Sequence, residues 1–244
     1  MKLVITDERI PKECLSSLGA LGFDILTLPP DRRLPSPVAS HTDMLLFRCN
    51  KTLIASREYL RGTPAVYGKL ASLKGYALVE SDEAPRDAYP HDAIFNAAII
   101  GDRLLAKTDT VARDVIRCAK DEGLKIIHTK QGYPACTVLV LDKDHAITSD
   151  GGSARLLSEA GVSVLTVRNS SAVILPPYDF GFIGGCAGVI DKKVYFVGSL
   201  DAHPDAEAIS SFIKNIGFEA ISLAPSLGCL FDVGGLAFID EGTD

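Results

Sequence analysis

The sequence predicts an α/β fold, a closed five-bladed propeller whose five units each read strand, strand, helix, strand. Three observations carry this prediction. A glycine followed by a short alternating strand recurs five times along the 244 residues. A further strand, and in several copies a helical segment, stands ahead of each of these glycines. The last apolar run of the chain lacks the continuation that the other copies have, and the N-terminal residues supply it.

The glycine-led strands are GFDILTL (22–28), GYALVES (75–81), GLKIIHT (123–129), GVSVLTV (161–167) and GFEAISL (217–223). Glycine ends a helix readily because it has no Cβ to oppose the left-handed conformation. The stretches VARDVIRCAKDE, ARLLSEA and AEAISSFIKNI lie ahead of three of these glycines. Their apolar residues recur three or four apart, which is the pattern of an amphipathic helix. We therefore expect helices that end at these glycines.

A second strand, which runs into a turn, stands ahead of each helix. Its five copies are LVITDE, TLIASRE, LLAKTDT, HAITSDG and YFVGSLD, separated by 41–52 residues. Ser, Thr or Asp ends most of these strands, where an oxygen can accept a free backbone N–H of the helix that follows.

A third strand completes each unit. Four copies are MLLFRC (44–49), AIFNAAII (93–100), CTVLVL (136–141) and FGFIGGCAGVI (180–190), and the fifth is CLFDVGGLAFI (229–239). The rest of the fifth unit is the N-terminal segment 1–28, so the two ends close a ring. Three strands for each helix exclude a doubly wound sheet, which has about one. The sequence also lacks a linker, so we expect a single domain over residues 1–244.

Composition excludes several classes of protein. The chain is 47% hydrophobic and has a net charge of −6 without a cluster of lysine or arginine, which argues against nucleic-acid binding. Apolar runs are too short to cross a membrane. The six cysteines are scattered and form no C-x-x-C pair, which favours reduced thiols over disulfides or zinc. We expect a cytoplasmic protein without a cofactor or a metal, and homo-oligomerisation remains open.

Five such units with a split terminal unit resemble the pentein, or guanidino-group-modifying, superfamily, in a bacterial branch. It includes arginine and agmatine deiminases, dimethylarginine hydrolase, amidinotransferases and a non-enzymatic ribosome-binding factor. The resemblance implies a nucleophilic cysteine in the last unit, and Cys229 in GCLFDVGG matches that position. It also implies a His-x-Asp or His-x-Glu motif in the fourth unit, but YDFGFIGGCAG (178–188) contains no histidine.

The residues that open the inner strands are expected to meet at one mouth, because five strands around one axis bring equivalent ends together. They are Asp43, Asp92, Cys136, Asp179 and Cys229, with His41 and His91 beside them. Carboxylates bind the N–H groups of a guanidinium in pairs, and a bound cation favours the reactive thiolate. The mouth therefore predicts a site for a small cationic molecule.

Asn96 and Asp232 interrupt apolar strands. A buried polar group needs partners, so each is a ligand contact or a hydrogen-bond hub of the core. The other candidate residues can also have purely structural roles. A cysteine can be a small buried hydrophobe, and an aspartate can bond its own turn.

Two functional hypotheses follow. The first is a cysteine-dependent hydrolase or amidinotransferase that acts on a guanidino or amidino compound. In it Cys229 attacks the guanidinium carbon, His91 protonates the leaving amine and water cleaves a thiouronium intermediate. The second is a non-catalytic protein that binds a small cation or a protein partner. The missing histidine of the fourth unit favours the second hypothesis, and Cys229 with the acidic mouth favours the first.

Overall fold

A computed structural model of the chain describes residues 2–242. The strands in chain order are β1 (Lys2–Asp7), β2 (Asp24–Leu28), β3 (Leu46–Cys49), β4 (Thr52–Ser56), β5 (Ala77–Ser81), β6 (Ala98–Ile100), β7 (Arg103–Ala106), β8 (Lys125–His128), β9 (Val138–Val140), β10 (His145–Thr148), β11 (Ser163–Thr166), β12 (Val173–Ile174), β13 (Ala187–Ile190), β14 (Lys193–Phe196), β15 (Glu219–Ser222), β16 (Leu230–Phe231) and β17 (Ala237–Asp240).

The helices are α1 (Lys12–Ala20), α2 (Thr42–Leu45), α3 (Arg57–Gly62), α4 (Pro64–Ala71), α5 (Arg113–Asp121), α6 (Pro134–Thr137), α7 (Gly151–Glu159) and α8 (Ala206–Asn215), with three short 3₁₀ turns. The helices predicted from the recurrence of apolar residues three or four apart are α5, α7 and α8. Their buried faces carry residues three or four apart, such as Ile209 and Ile213 of α8. Among residues 2–242, no helix is both long enough and apolar enough to cross a bilayer.

Five three-stranded sheets share one plan. In each, the first strand is antiparallel to the second and the third is parallel to it, with a helical connection between the second and third. The sheets are β3–β4–β5, β6–β7–β8, β9–β10–β11, β13–β14–β15 and β17–β1–β2. A separate two-stranded sheet joins β12 and β16 in parallel. The chain is therefore an α/β protein with a five-times repeated unit.

The chain ends form one of these sheets. Strand β1 pairs antiparallel with β17, with Lys2 opposite Asp240, and pairs parallel with β2. The prediction that the N-terminal segment completes the last unit is confirmed at the level of strand pairing. Because both its neighbours hydrogen-bond to it, β1 is a central strand, and Leu3, Val4 and Ile5 are fully buried.

The glycine prediction is also confirmed. Gly22, Gly75, Gly123, Gly161 and Gly217 have φ between +68° and +84°. Each stands two residues before the third strand of its sheet. Four of them directly follow the C-cap of a helix, whereas Gly75 lies in a turn four residues after the end of α4. A left-handed residue at these positions redirects the chain into the parallel strand.

The inner strands are shorter than their sequences predicted. The four residues before β3 and before β9 form single helical turns, α2 and α6. The stretch from residue 93 to 97 is not a strand, and β16 belongs to a different sheet from β17. These segments are apolar because they are buried, not because they are extended. Their bends carry polar side chains inward.

The central position of β1 makes a prediction about stability. Ile5 is fully buried in a hydrophobic cluster with Leu3 and Ile239. Ile5→Ala should lower the free energy of unfolding by about 2–5 kcal/mol, because it removes buried methyl groups and leaves a cavity. Urea denaturation measures the change. Lys2→Ala, at the exposed end of the same strand, is the control and should change stability by less than about 0.5 kcal/mol. Equal effects of the two variants would contradict a central role for β1.

Candidate functional site

Polar side chains from four of the bent segments lie buried around one cavity. The segments precede β3, β6, β9 and β17, and they contribute His41 and Asp43, Asn96, Cys136, and Asp232, respectively. Each of these residues is between 1% and 8% exposed. The cavity has a volume of about 350 Å³ and is lined by Val38, His41, Tyr133, Cys136, Leu175, Tyr178, Asp179, Phe180, Phe182 and Asp232.

The thiol of Cys136 lies at the centre of this cluster. Its Sγ donates a hydrogen bond to Asp43 Oδ2 at 2.6 Å and accepts one from Asn96 Nδ2 at 3.2 Å. The amide oxygen of Asn96 accepts the backbone N–H of Ala135 at 2.8 Å, which fixes the orientation of the amide. Asn96 is therefore a hydrogen-bond hub that holds the segment bearing Cys136.

His41 lies between two buried carboxylates. Its Nε2 is 3.9 Å from Asp7 Oδ2 and its Nδ1 is 3.8 Å from Asp232 Oδ1. Neither ring nitrogen has a hydrogen-bond partner within the described residues. Burial lowers the pKa of His41, although the two carboxylates oppose that effect. The imidazole is therefore uncharged near neutral pH and is free to accept a proton.

The carboxylate of Asp232 is held from both sides. Oδ2 accepts the backbone N–H of Phe182 at 2.8 Å, and Oδ1 accepts that of Gly234 at 3.1 Å. A Cβ on Gly185 would overlap this carboxylate, and one on Gly181 would collide with its Cβ. Glycine at both positions leaves the room that the carboxylate occupies.

Burial shapes the charges at the centre. It raises the pKa of Asp43 to about 6, although hydrogen bonds from Cys136 and Asn96 work in the other direction. Burial also raises the pKa of Cys136 well above its usual range, and the charges of Asp43 and Asp232 raise it further. The cysteine is therefore a thiol near neutral pH. A cation bound beside these carboxylates would offset their effect and favour the thiolate.

Asp92 does not line the cavity itself but is hydrogen-bonded to a tyrosine that does. The hydroxyl of Tyr133 donates to Asp92 Oδ2 at 2.6 Å, and the ring of Tyr133 lines the cavity. The pKa of Tyr133 is raised by burial and by the neighbouring carboxylate. Asp92 Oδ1 is buried without a hydrogen-bond partner among the described residues.

The remaining predicted residues lie elsewhere or at the rim. Asp179 is exposed and lines the cavity at its mouth. Cys229 does not line the cavity; its Sγ faces its own turn, with Leu227 O at 3.4 Å. His91 is exposed, and its backbone closes a turn with Ala88. The expectation that both would share one mouth with Cys136 is therefore not met, because the fifth unit brings Asp232 to the cavity instead of Cys229.

The imidazole beside the cavity thiol belongs to His41, in the first unit and not the fourth. The sequence carries a signal for it, since His41-Thr42-Asp43 has the His-x-Asp spacing. Tyr133 and the aromatic wall of the cavity carry no such signal. Tyr133 precedes α6, and Tyr178, Phe180 and Phe182 belong to the segment from residue 173 to 186, whose path past the cavity the sequence does not fix.

The cluster also has the donor set of a transition-metal site. One donor atom from each of His41, Asp43 and Cys136 lies within 4.8 Å of the other two. Imidazole nitrogen, thiolate and carboxylate oxygen are all ligands that zinc accepts. The same three groups suffice for acid–base chemistry at a thiol without a metal.

Comparison with known protein families gives one assignment. The model of a family described as a family of unknown function, DUF6873, matches residues 5–237. The chain belongs to this family. A comparison with curated proteins finds no significant match.

Solved structures identify the fold. The DDAH of Pseudomonas aeruginosa, solved as a cysteine mutant with citrulline, has 13% sequence identity and a TM-score of 0.58, with 92% of each chain covered. An amidinotransferase of Microseira wollei from the saxitoxin pathway has 12% identity and a TM-score of 0.57, over 95% of this chain and 93% of that one. The agmatine deiminase of C. jejuni has 11% identity and a TM-score of 0.54, over 91% and 87%. This DUF6873 protein therefore has the pentein fold that its sequence predicts.

The room beside Asp232 makes the first prediction about the site. Gly185→Ala should lower the free energy of unfolding by about 1–3 kcal/mol, because its Cβ would overlap the Asp232 carboxylate. Gly19→Ala is the matched control, since a Cβ on this α1 residue meets no atom within 4 Å. That substitution should be neutral or stabilising. Urea denaturation compares the two, and a tolerated Gly185→Ala would contradict the tight approach.

The raised pKa of Asp43 makes the second prediction about the site. The folded protein holds a proton on this carboxyl up to about pH 6, whereas the unfolded chain releases it near pH 4. The folded state binds the extra proton, so Asp43 stabilises it below pH 4. That contribution is lost as pH rises to about 6. The free energy of unfolding of Asp43→Asn minus that of wild type should therefore increase by up to about 3 kcal/mol from pH 4 to pH 7.

Urea denaturation at several pH values, with a chelator present, measures this difference. Asp179→Asn, which removes an exposed carboxylate of the same cavity, is the matched control for the change from carboxylate to amide. A constant difference between wild type and Asp43→Asn from pH 4 to 7 would contradict the raised pKa.

Proposed function

We propose that the protein is a cysteine-dependent hydrolase or amidinotransferase that acts on a guanidino or amidino compound, with Cys136 as the nucleophile. One observation carries the proposal. A thiol at the floor of a cavity donates to the carboxylate of Asp43 and has an uncharged imidazole, His41, within 4.8 Å. Nucleophile, base and orienting group are thus assembled as covalent catalysis by a thiol requires.

The proposal includes an architecture, in which the five three-stranded sheets are the blades of a closed propeller formed by one domain over residues 1–244. The pairing of β1 with β17 supports closure. The pentein fold of the solved structures supports it as well. On this architecture the polar segments before the inner strands surround the axis.

Recognition of the cation comes first. Asp232 lines the cavity, and Asp43 adjoins it through the thiol of Cys136. Asp43 Oδ1 has no hydrogen-bond partner among the described residues, and each oxygen of Asp232 accepts one hydrogen bond and can accept another. The N–H groups of a guanidinium match such oxygens in number and direction. The positive charge then offsets the carboxylates that raise the pKa of Cys136, so the substrate itself promotes formation of the thiolate.

Covalent chemistry follows. Cys136 transfers its proton to His41, and its sulfur forms a bond to the central carbon of the guanidinium or amidinium. One C–N bond of the resulting tetrahedral adduct breaks, and His41 returns the proton to the leaving nitrogen. The amine departs and a thiouronium or thioimidate remains on the sulfur. His41 alternates between base and acid, for which an uncharged resting imidazole is suited.

Water or a second amine completes the cycle. His41 takes a proton from the incoming nucleophile, the new bond to carbon forms, and the C–S bond breaks to return Cys136. Attack by water is hydrolysis and attack by an amine is amidino transfer. Nothing in the cluster distinguishes these two, so the proposal keeps both.

Non-catalytic binding of a small cation is the second candidate. The full burial of Cys136 and its raised pKa favour it, because a resting thiol is a poor nucleophile. In this alternative Asp43, Asp179 and Asp232 bind the cation and the thiol is only part of the wall. Turnover separates the two candidates.

The test uses a matched pair of alkylating reagents. 2-Chloroacetamidine is a cationic amidinium, and chloroacetamide is its neutral counterpart. In each the thiolate forms a C–S bond and chloride leaves. We expect the amidinium to modify Cys136 at least tenfold faster than the amide does. At Cys229, outside the cavity, the two rates should be similar. Peptide-resolved mass spectrometry against time gives both rates in one experiment.

The control variants are Cys136→Ala and Cys229→Ser. A panel of guanidino compounds is assayed for release of ammonia or amine, and any turnover should fall at least a thousandfold in Cys136→Ala and persist in Cys229→Ser. Loss of turnover only in Cys229→Ser would identify Cys229, in the last unit, as the nucleophile in place of Cys136. A Cys136 that reacts only after unfolding, together with no turnover, would leave cation binding as the function.

A further inference from the structure

We infer that the ligand of the cavity is a guanidinium or amidinium whose other substituent is apolar and carries no carboxylate. The inference deepens the proposed function and rests on it for the position of the cationic head beside Cys136, Asp43 and Asp232. It separates the ligand from guanidino amino acids such as arginine, which bring a carboxylate with the guanidinium.

Carboxyl groups stand at both ends of the cavity. They are Asp179 at the mouth and Asp232 at the floor, and Asp43 adjoins the floor through Cys136. No lysine or arginine lines this cavity within residues 2–242. An entering carboxylate would find no cationic partner here and would approach two carboxylates. Because an unpaired buried charge is costly, the cavity disfavours acids.

Arg9 is the basic residue of an adjoining cavity, and it is already engaged. That smaller cavity shares Leu175 and Asp232 with the first. The guanidinium of Arg9 binds both oxygens of Asp7, with Nε to Oδ1 at 2.9 Å and Nη2 to Oδ2 at 2.5 Å. It also donates to two backbone carbonyls, those of Ser36 and Pro37. These four bonds leave one N–H of the guanidinium free, so a ligand carboxylate could bind both of its oxygens to Arg9 only by breaking them.

The walls above the acidic floor are apolar. Val38, Leu175, Phe180 and Phe182 line the cavity, and the rings of the two phenylalanines meet edge-on with centroids 6.1 Å apart. Such a wall gains free energy by burying methylene groups or an aromatic ring, at about 25 cal/mol for each Å² of apolar surface. A cationic head with an apolar tail therefore matches both parts of the cavity.

A pair of isosteric ligands tests the inference. n-Butylguanidine and 4-guanidinobutanoate have the same length, and they differ by a terminal methyl group in place of a carboxylate. Isothermal titration calorimetry with the full chain measures both, in wild type and in Cys136→Ser, which prevents turnover. We expect n-butylguanidine to bind at least tenfold more tightly. Equal affinity, or tighter binding of 4-guanidinobutanoate, would overturn the inference while leaving the proposed function intact.

Two further outcomes separate this inference from the proposed function. If neither ligand binds, the cationic head does not lie at the floor, and both proposals fail together. If n-butylguanidine binds with the expected preference but no guanidino compound is turned over, the inference stands and the catalytic proposal fails.

Reversal of the charge at the mouth gives an independent check. Asp179 is exposed, so Asp179→Lys should fold and should supply the missing partner for a carboxylate. We expect this variant to bind 4-guanidinobutanoate at least fivefold more tightly than wild type does. Asp121→Lys, at the end of α5 and away from this cavity, makes the same change in net charge and is the control. If both variants gain the same affinity for 4-guanidinobutanoate, the gain comes from the overall charge of the protein, and this result would contradict the inference.

Discussion

The site depends on one constraint, the room that two glycines leave for a buried carboxylate. Asp232 fits inside the protein because Gly181 and Gly185 carry no Cβ where its side chain lies. Backbone N–H groups of Phe182 and Gly234 then donate one hydrogen bond to each of its two oxygens. A carboxylate fixed in this way links the crossing segment to the last unit of the fold. It also brings negative charge to the imidazole and the thiol.

The unmet hydrogen-bonding capacity of this cluster indicates a ligand. Most buried polar atoms in proteins are paired, yet both nitrogens of His41 and one oxygen of Asp43 have no partner among the described residues. One donor atom of His41 and one of Asp43 lie within 4.8 Å of each other and of the thiol of Cys136. A cation with several N–H groups would match the carboxylate oxygens of such a cluster, and polar groups that are costly to bury are common at functional sites.

The repeated fold could be predicted from the sequence because its signals are local. A left-handed glycine before each outer strand and an apolar period in each helix need no tertiary information. The site was predicted only in part. Asn96 and Asp232 were identified because polar residues stand out in apolar segments, and Asp43 and Cys136 because they open inner strands. The assignment of Cys229 followed from its position near the end of the chain, and a position in sequence does not fix which way a bent segment faces.

The bends explain why the strand pattern of the inner segments predicted the site residues only in part. An extended strand sends alternate side chains to opposite faces, so the residue that opens an apolar run would face the mouth at every copy. In α2 and α6 the chain instead turns helically just before the strand, and these two turns carry Asp43 and Cys136, which are joined by a hydrogen bond. In the fifth unit the run is interrupted by Asp232 and two left-handed glycines, and Asp232 lines the cavity whereas Cys229, three residues earlier, does not. Interruption of an apolar run by a polar residue therefore indicates the site at Asn96 and Asp232, whereas the start of a run indicates it at Asp43 and Cys136 but not at Cys229.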